Sequence, residues 1–201
     1  GMSDSERVWT LGAGADYWPV PDFRLYAEGY YQWGKTPTDA GGAVDHRSQA
    51  LRAGMRVQWN RHPRRPYIDL SAWSLGGGDE SPGNRSGDFV SLGDVDTTMI
   101  MEENDFGLGL RGKYEALKAK AGFDVRRFHH MDIVAAWFRR DDSDFAPALG
   151  TEIDLWYSRQ FTGNVTLRYG AGWLFNAEYF KDALDAHPRA TMLRAELVLK
   201  F

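Results

Sequence analysis

The fold class is decided most clearly by residues 191–201, TMLRAELVLKF. From Leu193 onward every second side chain is apolar, and the intervening positions include Arg194, Glu196 and Lys200. A repeat of two places alternate residues on opposite faces of a β-strand, whereas an amphipathic helix repeats about every 3.6 residues. This segment therefore predicts a strand with one aliphatic face and one mostly charged face.

The same alternation occurs in eight further segments, and a helical repeat is almost absent from the chain. These segments are residues 9–17, 23–33, 51–59, 67–75, 117–125, 132–140, 152–158 and 165–175. In residues 132–140 both faces are equally apolar, so the pattern leaves open which face points where. The chain is predicted to be all-β, with about nine antiparallel strands.

The predicted connections alternate between short and long. The short ones are residues 19–22, 60–66, 126–131 and 162–164, and the long ones are residues 35–47, 76–114, 141–150 and 176–190. Outer-membrane barrels combine short periplasmic turns with long extracellular loops, whereas a soluble sandwich has no reason to sort its loops by length. The sorting favours an up-and-down membrane barrel and leaves open whether residues 106–114 add a tenth strand.

Two interpretations compete for the apolar face. It would point inward in a soluble lipocalin-like barrel and face lipid in a membrane barrel. Aromatic side chains favour the second, because they cluster at strand ends while small and aliphatic residues fill the strand middles, as in interfacial girdles. These aromatics are Trp9, Tyr17, Trp18, Phe23, Tyr31, Trp33, Trp59, Phe161, Trp173, Phe175 and Phe201. The chain is accordingly predicted to be an antiparallel up-and-down transmembrane β-barrel, or the open part of a larger barrel.

Composition excludes several functional classes. The chain has 24 Lys and Arg against 28 Asp and Glu, so it lacks the basic excess of a nucleic-acid-binding protein. It has no Cys, which excludes thiol catalysis and thiolate metal sites. No run of about 18 apolar residues is present, so the chain contains no membrane-spanning helix.

No catalytic or cofactor site is predicted. The histidines are placed in turns or loops without a Glu at metal-binding spacing, and no His is expected to share a strand face with Ser48, Ser71, Ser74 or Ser158. The acidic residues of the long connections, Glu102 among them, do not have EF-hand spacing and are interpreted as solvated. We therefore expect no enzyme activity, no cofactor and no metal.

Several short motifs follow one another from about residue 7 to residue 201. They are TLGAG at 10–14, YYQWG at 30–34, GGGD at 76–79, GDF at 87–89, EENDFG at 102–107, LGTEIDL at 149–155, GAGWLF at 170–175 and LVLKF at 197–201. No single motif is unique. In this order and spacing they resemble the carboxy-terminal part of the alginate-export family of bacterial outer-membrane β-barrels.

The resemblance implies a location in the bacterial outer membrane. Members of that family are barrels of about eighteen strands whose lumen, rich in Arg and Lys, passes an anionic uronate polysaccharide outward. The terminal Phe201 on an alternating strand is similar to the signal read by the barrel assembly machinery. Because nine up-and-down strands leave the first and last running in the same direction, residues 1–201 are expected to be a single domain and the carboxy-terminal part of a larger barrel.

The charged face is predicted to line the passage. Planar Arg forks suit two-point contact with uronate carboxylates, and acidic neighbours would hold those forks in orientation. The alternative that ion pairs between strands only fix the register stays open. The expected pore-lining residues are Arg24, Glu28, Arg52, Arg56, Asp69, Lys118, Lys120, Asp124, Glu152, Asp154, Arg168, Arg194, Glu196 and Lys200.

The predicted function is a porin-like, anion-selective channel for passive export or diffusion of an alginate-like polysaccharide or another anionic solute. Its expected partners are that anion, outer-membrane lipid and the barrel assembly machinery, with no nucleic acid. A general small-solute porin and a soluble lipid-binding β-barrel are the alternatives.

Overall fold

The computed structural model describes residues 7–37, 43–77, 85–86, 98–102, 114–140, 148–177 and 189–200. Regular structure in these ranges consists of β-strands. The strands are β1 (Arg7–Val20), β2 (Phe23–Pro37), β3 (Ala43–Gln58), β4 (Tyr67–Gly77), β5 (Arg85–Ser86), β6 (Tyr114–Arg126), β7 (His129–Arg139), β8 (Ala148–Thr162), β9 (Val165–Phe175) and β10 (Ala190–Leu199). Among the described residues, no helix is long and apolar enough to cross a membrane.

Nine strands form one antiparallel sheet in the order β1-β2-β3-β4-β6-β7-β8-β9-β10. The two-residue β5 lies off this path and pairs in parallel with Asp45 and His46 of β3. This order confirms the predicted all-β, up-and-down architecture of nine strands. The segment left open as a further strand, residues 106–114, lies outside the described residues except for Tyr114, which begins β6.

Short turns lie at one end of the sheet. They comprise residues 21–22, 59–66, 127–128 and 163–164, and they join β1 to β2, β3 to β4, β6 to β7 and β8 to β9. Since consecutive strands are antiparallel, the other connections meet at the opposite end, as the alternation of loop lengths predicted. Several strands extend further toward that end than predicted. For example, β2 reaches Pro37, β3 begins at Ala43 and β8 begins at Ala148.

The pairing register decides which side chains share a face. Residues directly opposite each other on neighbouring strands point to the same side of a sheet. Ala136 of β7 pairs with Lys118 of β6 and with Glu152 of β8, so it belongs to the charged face. The same applies to Val134 and Phe138, which settles the facing that sequence alternation left open.

The two faces of the sheet differ in exposure, and the difference is opposite to that in a soluble protein. Apolar side chains are exposed on the apolar face, and Leu193 and Leu197 are 80% and 63% exposed. The buried side chains, among them Tyr114, Phe138 and Leu174, belong to the charged face. The core of the described residues therefore lies on the side of the sheet that carries the charges.

Aromatic side chains on the charged face lie over glycines of the neighbouring strand. A Cβ atom on Gly54 would lie 2.5 Å from the Tyr26 hydroxyl, and one on Gly122 would lie 2.6 Å from the Tyr67 ring. The missing side chains let Tyr26 reach across β3 to donate a hydrogen bond of 2.7 Å to Asp69 on β4. Tyr67 reaches across β6 in the same way, so each ring braces strands that are two positions apart.

The sheet ends in two open edges. Among the described strands, β1 pairs only with β2 and β10 only with β9. Nine alternating strands place β1 and β10 parallel to each other. Closing the sheet by antiparallel pairing alone therefore requires an odd number of additional strands between these edges.

Candidate functional site

The predicted pore-lining residues lie on one face of the sheet. The register pairs Glu28 with Arg52, Asp69 with both Arg56 and Lys120, and Arg168 with Glu196. The other predicted strand residues share this face, because each lies an even number of residues from one of these positions along its strand or, for Glu152 and Asp154 of β8, opposite a β9 residue that does. Lys200 comes directly after β10, and Phe201 lies outside the described residues.

A ladder of cations and aromatic rings runs across the strands on this face. The Arg52 guanidinium lies 4.9 Å from the Tyr26 ring centre and 4.5 Å from that of Trp73. Lys118 Nζ lies 4.4 Å from the Trp73 ring centre. Trp73 thus contacts a cation of β3 and a cation of β6, and cation–π attraction helps to hold both in place although both are largely shielded from water.

The ladder continues toward the short-turn end. Arg24 lies 5.0 Å from the Tyr26 ring centre and forms an ion pair of 2.5 Å with Asp16 on β1. Arg56 lies 4.0 Å from the ring centre of Tyr67. A guanidinium packs on a ring and donates hydrogen bonds to carboxylates, as Arg24 does with Asp16, so side chains of this kind are suited to binding carboxylates.

A second group of cations lies on β9 and β10. Glu196 accepts from Arg168 at 3.0 Å and from Arg194 at 2.7 Å. Arg168 also lies 4.3 Å from the Trp156 ring centre. One carboxylate therefore orients two guanidinium groups, which is the role expected for Glu196.

The other acidic residues have different partners. Glu28 lies 4.0 Å from Arg52, and Asp69 accepts from Tyr26. Asp124, near the short turn, accepts from Arg65 at 2.8 Å and pairs with His130 at 2.9 Å. These carboxylates connect neighbouring strands and turns through hydrogen bonds and ion pairs. The charged face therefore carries both positive and negative side chains.

Residues 98–102, called the inner segment from here on, pack onto the charged face of β8. The backbone N–H of Ile100 donates to Glu152 Oε1 at 2.6 Å, and that of Met101 donates to Glu152 Oε2 at 2.9 Å. The backbone N–H of Met99 donates to Asp154 Oδ2 at 3.0 Å. Three successive backbone amides are thereby bound by two carboxylates of the wall.

Glu102 ends the inner segment with a buried ion pair. Its Oε2 lies 2.5 Å from Lys118 Nζ, and its Oε1 accepts from the Tyr114 hydroxyl at 2.8 Å. The Glu102 Oε2 atom also accepts from the backbone N–H of Thr98 at 3.0 Å. The expectation of a solvated loop carboxylate was wrong for Glu102, because the inner segment brings it into the charged face.

The inner segment covers part of the predicted passage. Glu152 and Asp154 are 1% and 0% exposed, and the Lys118 side chain is 6% exposed. Met99, Ile100 and Met101 are buried with the aromatic and aliphatic side chains of β6 to β9. An anion reaches these three predicted residues only if the inner segment moves.

A polar cluster near the long-connection end corrects another expectation. His46 lies in β3, and its Nε2 is 3.2 Å from Ser48 Oγ, so a His does share the face of Ser48. Ser48 donates to Gln32 Oε1 at 3.0 Å, and Gln32 donates to Thr10 at 3.1 Å. The contacts tie β1, β2 and β3 together. Sequence placed His46 in a loop because its surroundings lack apolar alternation.

Two more histidines differ from their expected place. His129 and His130 are the first residues of β7 and not part of the turn. His62 does lie in a turn, and His187 lies outside the described residues. Within the described ranges, no group of three or more His, Asp or Glu side chains is arranged to hold a metal ion.

Sequence reasoning missed the aromatic partners of the cations and the inner segment. Trp73, Tyr26 and Trp156 alternate in phase with the charged residues, so their parity was an available signal. The inner segment has no such signal, because three of its contacts with the wall are made by backbone amides and Glu102 reaches Lys118 from outside the alternating strands. Compared with protein-family models and with curated proteins, the chain has no match.

Proposed function

We propose that this chain forms part of the wall of an outer-membrane channel that passes an anionic polysaccharide, or a smaller anion, without catalysis. The observation that carries the proposal is the reversal of the two faces. Large apolar side chains are exposed on one face, while cations stacked on aromatic rings line the other. A continuous exposed apolar face is stable against lipid and aggregates in water.

The chemistry of the cation ladder suits an acidic saccharide. Aromatic rings pack against the apolar faces of sugars, and guanidinium groups donate two hydrogen bonds to a carboxylate. Arg52, Arg56 and Arg168 each combine a ring with a guanidinium within 4.0–4.9 Å. Many such weak contacts, each partly screened by salt, favour movement along a wall over tight binding at one point.

The motifs that resemble the alginate-export family point the same way, since that family passes a uronate polysaccharide. The open edges of the sheet add a requirement. Closing the sheet of described strands by antiparallel pairing alone takes an odd number of further strands between β10 and β1. We infer that these strands, the outer-membrane lipid and the assembly machinery are the partners of this wall.

The selectivity of the assembled barrel tests the proposal. Replacing Arg52, Arg56 and Arg168 together by Glu should reverse or abolish anion preference, measured as the reversal potential in planar bilayers under a salt gradient. The matched control replaces Arg61, Arg64 and Arg127, which lie in the short turns, by Glu. It makes the same change in net charge and should shift the reversal potential little. If both variants keep the original selectivity, the ladder only braces the wall and the channel is a general porin.

The membrane assignment has its own test. The folded chain should remain monodisperse in gel filtration only with detergent, because its exposed face is apolar. A sharp monomer peak without detergent would favour the soluble lipid-binding barrel.

A further inference from the structure

The inner segment brings a carboxylate to a cation of the ladder. Lys118 lies between the Trp73 ring, at 4.4 Å, and Glu102, at 2.5 Å. The same ring lies 4.5 Å from Arg52 of β3, which flanks β4 on the side opposite to β6. Glu102 thus occupies the place on Lys118 that the carboxylate of a passing anion would take.

The rest of the inner segment is fastened by reversible contacts. Its amides bind Glu152 and Asp154 through three hydrogen bonds, and Met99 and Ile100 fill the space beside Gly170 and Gly172. No covalent link holds it, since the chain has no Cys. The segment therefore has a bound arrangement, and its release exposes Lys118, Glu152 and Asp154.

We propose that the inner segment is an internal competitor of the transported anion. Glu102 closes this part of the charged face by binding Lys118, and an anionic ligand displaces it by supplying Lys118 with an equivalent carboxylate. This inference rests on the proposed function. A neutral saccharide has no group that replaces Glu102, so displacement discriminates acidic chains from neutral ones.

Exchange of one carboxylate for another requires little net energy at Lys118, because the cation keeps a partner throughout. Arg52, which contacts the same Trp73 ring, offers a second cation to the next acidic unit of the same chain. Competition is thus easier for a polyanion than for a single small anion.

Thiol labelling of the full chain in lipid or detergent tests this inference. The chain lacks Cys, so Met101→Cys and, separately, Thr98→Cys introduce single reporters at buried positions. Labelling by a charged maleimide should be slow and should become about tenfold faster or more when Glu102 is changed to Gln, because a charge-assisted contact is lost. Saturating oligogalacturonate should accelerate labelling in the chain that retains Glu102, whereas dextran of equal length should not.

Leu149→Cys is the matched control, because Leu149 is 0% exposed in the same cluster but belongs to β8. Its labelling should not respond to oligogalacturonate. An equal acceleration at Leu149→Cys would mean general loosening and would overturn the inference. Unchanged labelling of both reporters, while tryptophan fluorescence reports that oligogalacturonate binds, would overturn it as well.

The two proposals fail in different ways. If oligogalacturonate does not bind and the Arg-to-Glu variant keeps its selectivity, the proposed function falls. The response of the reporters to Glu102→Gln still decides whether Glu102 fastens the inner segment. If Glu102→Gln changes the labelling rate of neither reporter, the proposal that the inner segment is a competitor is wrong, even if the channel is anion-selective.

Discussion

The two halves of the charged face use the same alternating pattern in different ways. In the half formed by β1 to β4, cations stack on rings and pair with carboxylates of neighbouring strands, and the Arg24 side chain is 35% exposed. In the half formed by β6 to β10, Arg168 also stacks and pairs in this way, but the inner segment covers Glu152 and Asp154, and the Lys118 side chain is only 6% exposed. Charge on a strand face therefore does not by itself identify a solvent-lined surface, because a connection can supply the partners.

The apolar face should behave alike in both halves, and this is the largest expected effect. Leu70 is the fourth residue of β4 and Ile133 the fifth residue of β7, so both lie well inside their strands on the apolar face. Replacing either by Arg should lower the free energy of unfolding in bilayers by about 2–4 kcal/mol, because a charge is placed in hydrocarbon. Denaturant titration of lipid-folded protein measures it.

The controls for that prediction are the next residues along each strand. Ser71→Arg and Val134→Arg place the same charge on the opposite face of the same strands and should cost less. Equal costs on the two faces would contradict the assignment of lipid and lumen. A large loss of stability in one half alone would mean that the two halves differ on the apolar face as well as on the charged face.

The glycines beneath aromatic rings give the second largest expected effect. A Cβ atom on Gly54 in the first half, or on Gly170 in the second, would lie 2.5 Å from the Tyr26 hydroxyl or 2.8 Å from the Trp156 ring. Gly54→Ala and Gly170→Ala should each lower the free energy of unfolding by about 1–3 kcal/mol, since the rings must move away. Gly163→Ala, in a turn with no atom within 4 Å of an added Cβ, is the control and should have little effect. If Gly54→Ala lowers the free energy of unfolding as little as Gly163→Ala does, the Tyr26 ring does not depend on the space above Gly54.

Two tyrosines give the smallest effect and distinguish the halves most directly. Tyr26→Phe removes a hydrogen bond between strands and should lower the free energy of unfolding by about 1 kcal/mol. Tyr114→Phe removes a hydrogen bond to Glu102 of the inner segment. It should instead speed hydrogen exchange of the amides of residues 99–101 with little change in the unfolding midpoint, because local release precedes unfolding.

The same exchange experiment on Tyr26→Phe should leave the amides of residues 99–101 as protected as before. If Tyr114→Phe lowers the unfolding midpoint and leaves local exchange unchanged, the inner segment is part of the cooperative core. Its role as a separable competitor would then be excluded.

Alternation predicted the nine strands, the sides of the charged residues and the sorting of turns, because strand pairing preserves a repeat of two. It placed Arg24, Arg52 and Arg168 on one face without knowledge of their partners. It underestimated β3, since Asp45 and His46 join the backbone ladder without an apolar neighbour pattern. Backbone hydrogen bonds do not depend on side-chain polarity, so such strand ends escape a hydropathy pattern.

The separation of apolar and charged side chains onto two faces could be predicted from the sequence, because it depends only on the period of a β-strand. Which charges pair and which are covered follows from the folded arrangement. Ala136 joined the charged face through its register with Lys118 and Glu152, and Glu102 reached Lys118 from 16 residues away along the chain. Those outcomes depend on strand register and on backbone amides that bind carboxylates, and a backbone amide is the same in almost every residue, so the sequence carries little trace of it.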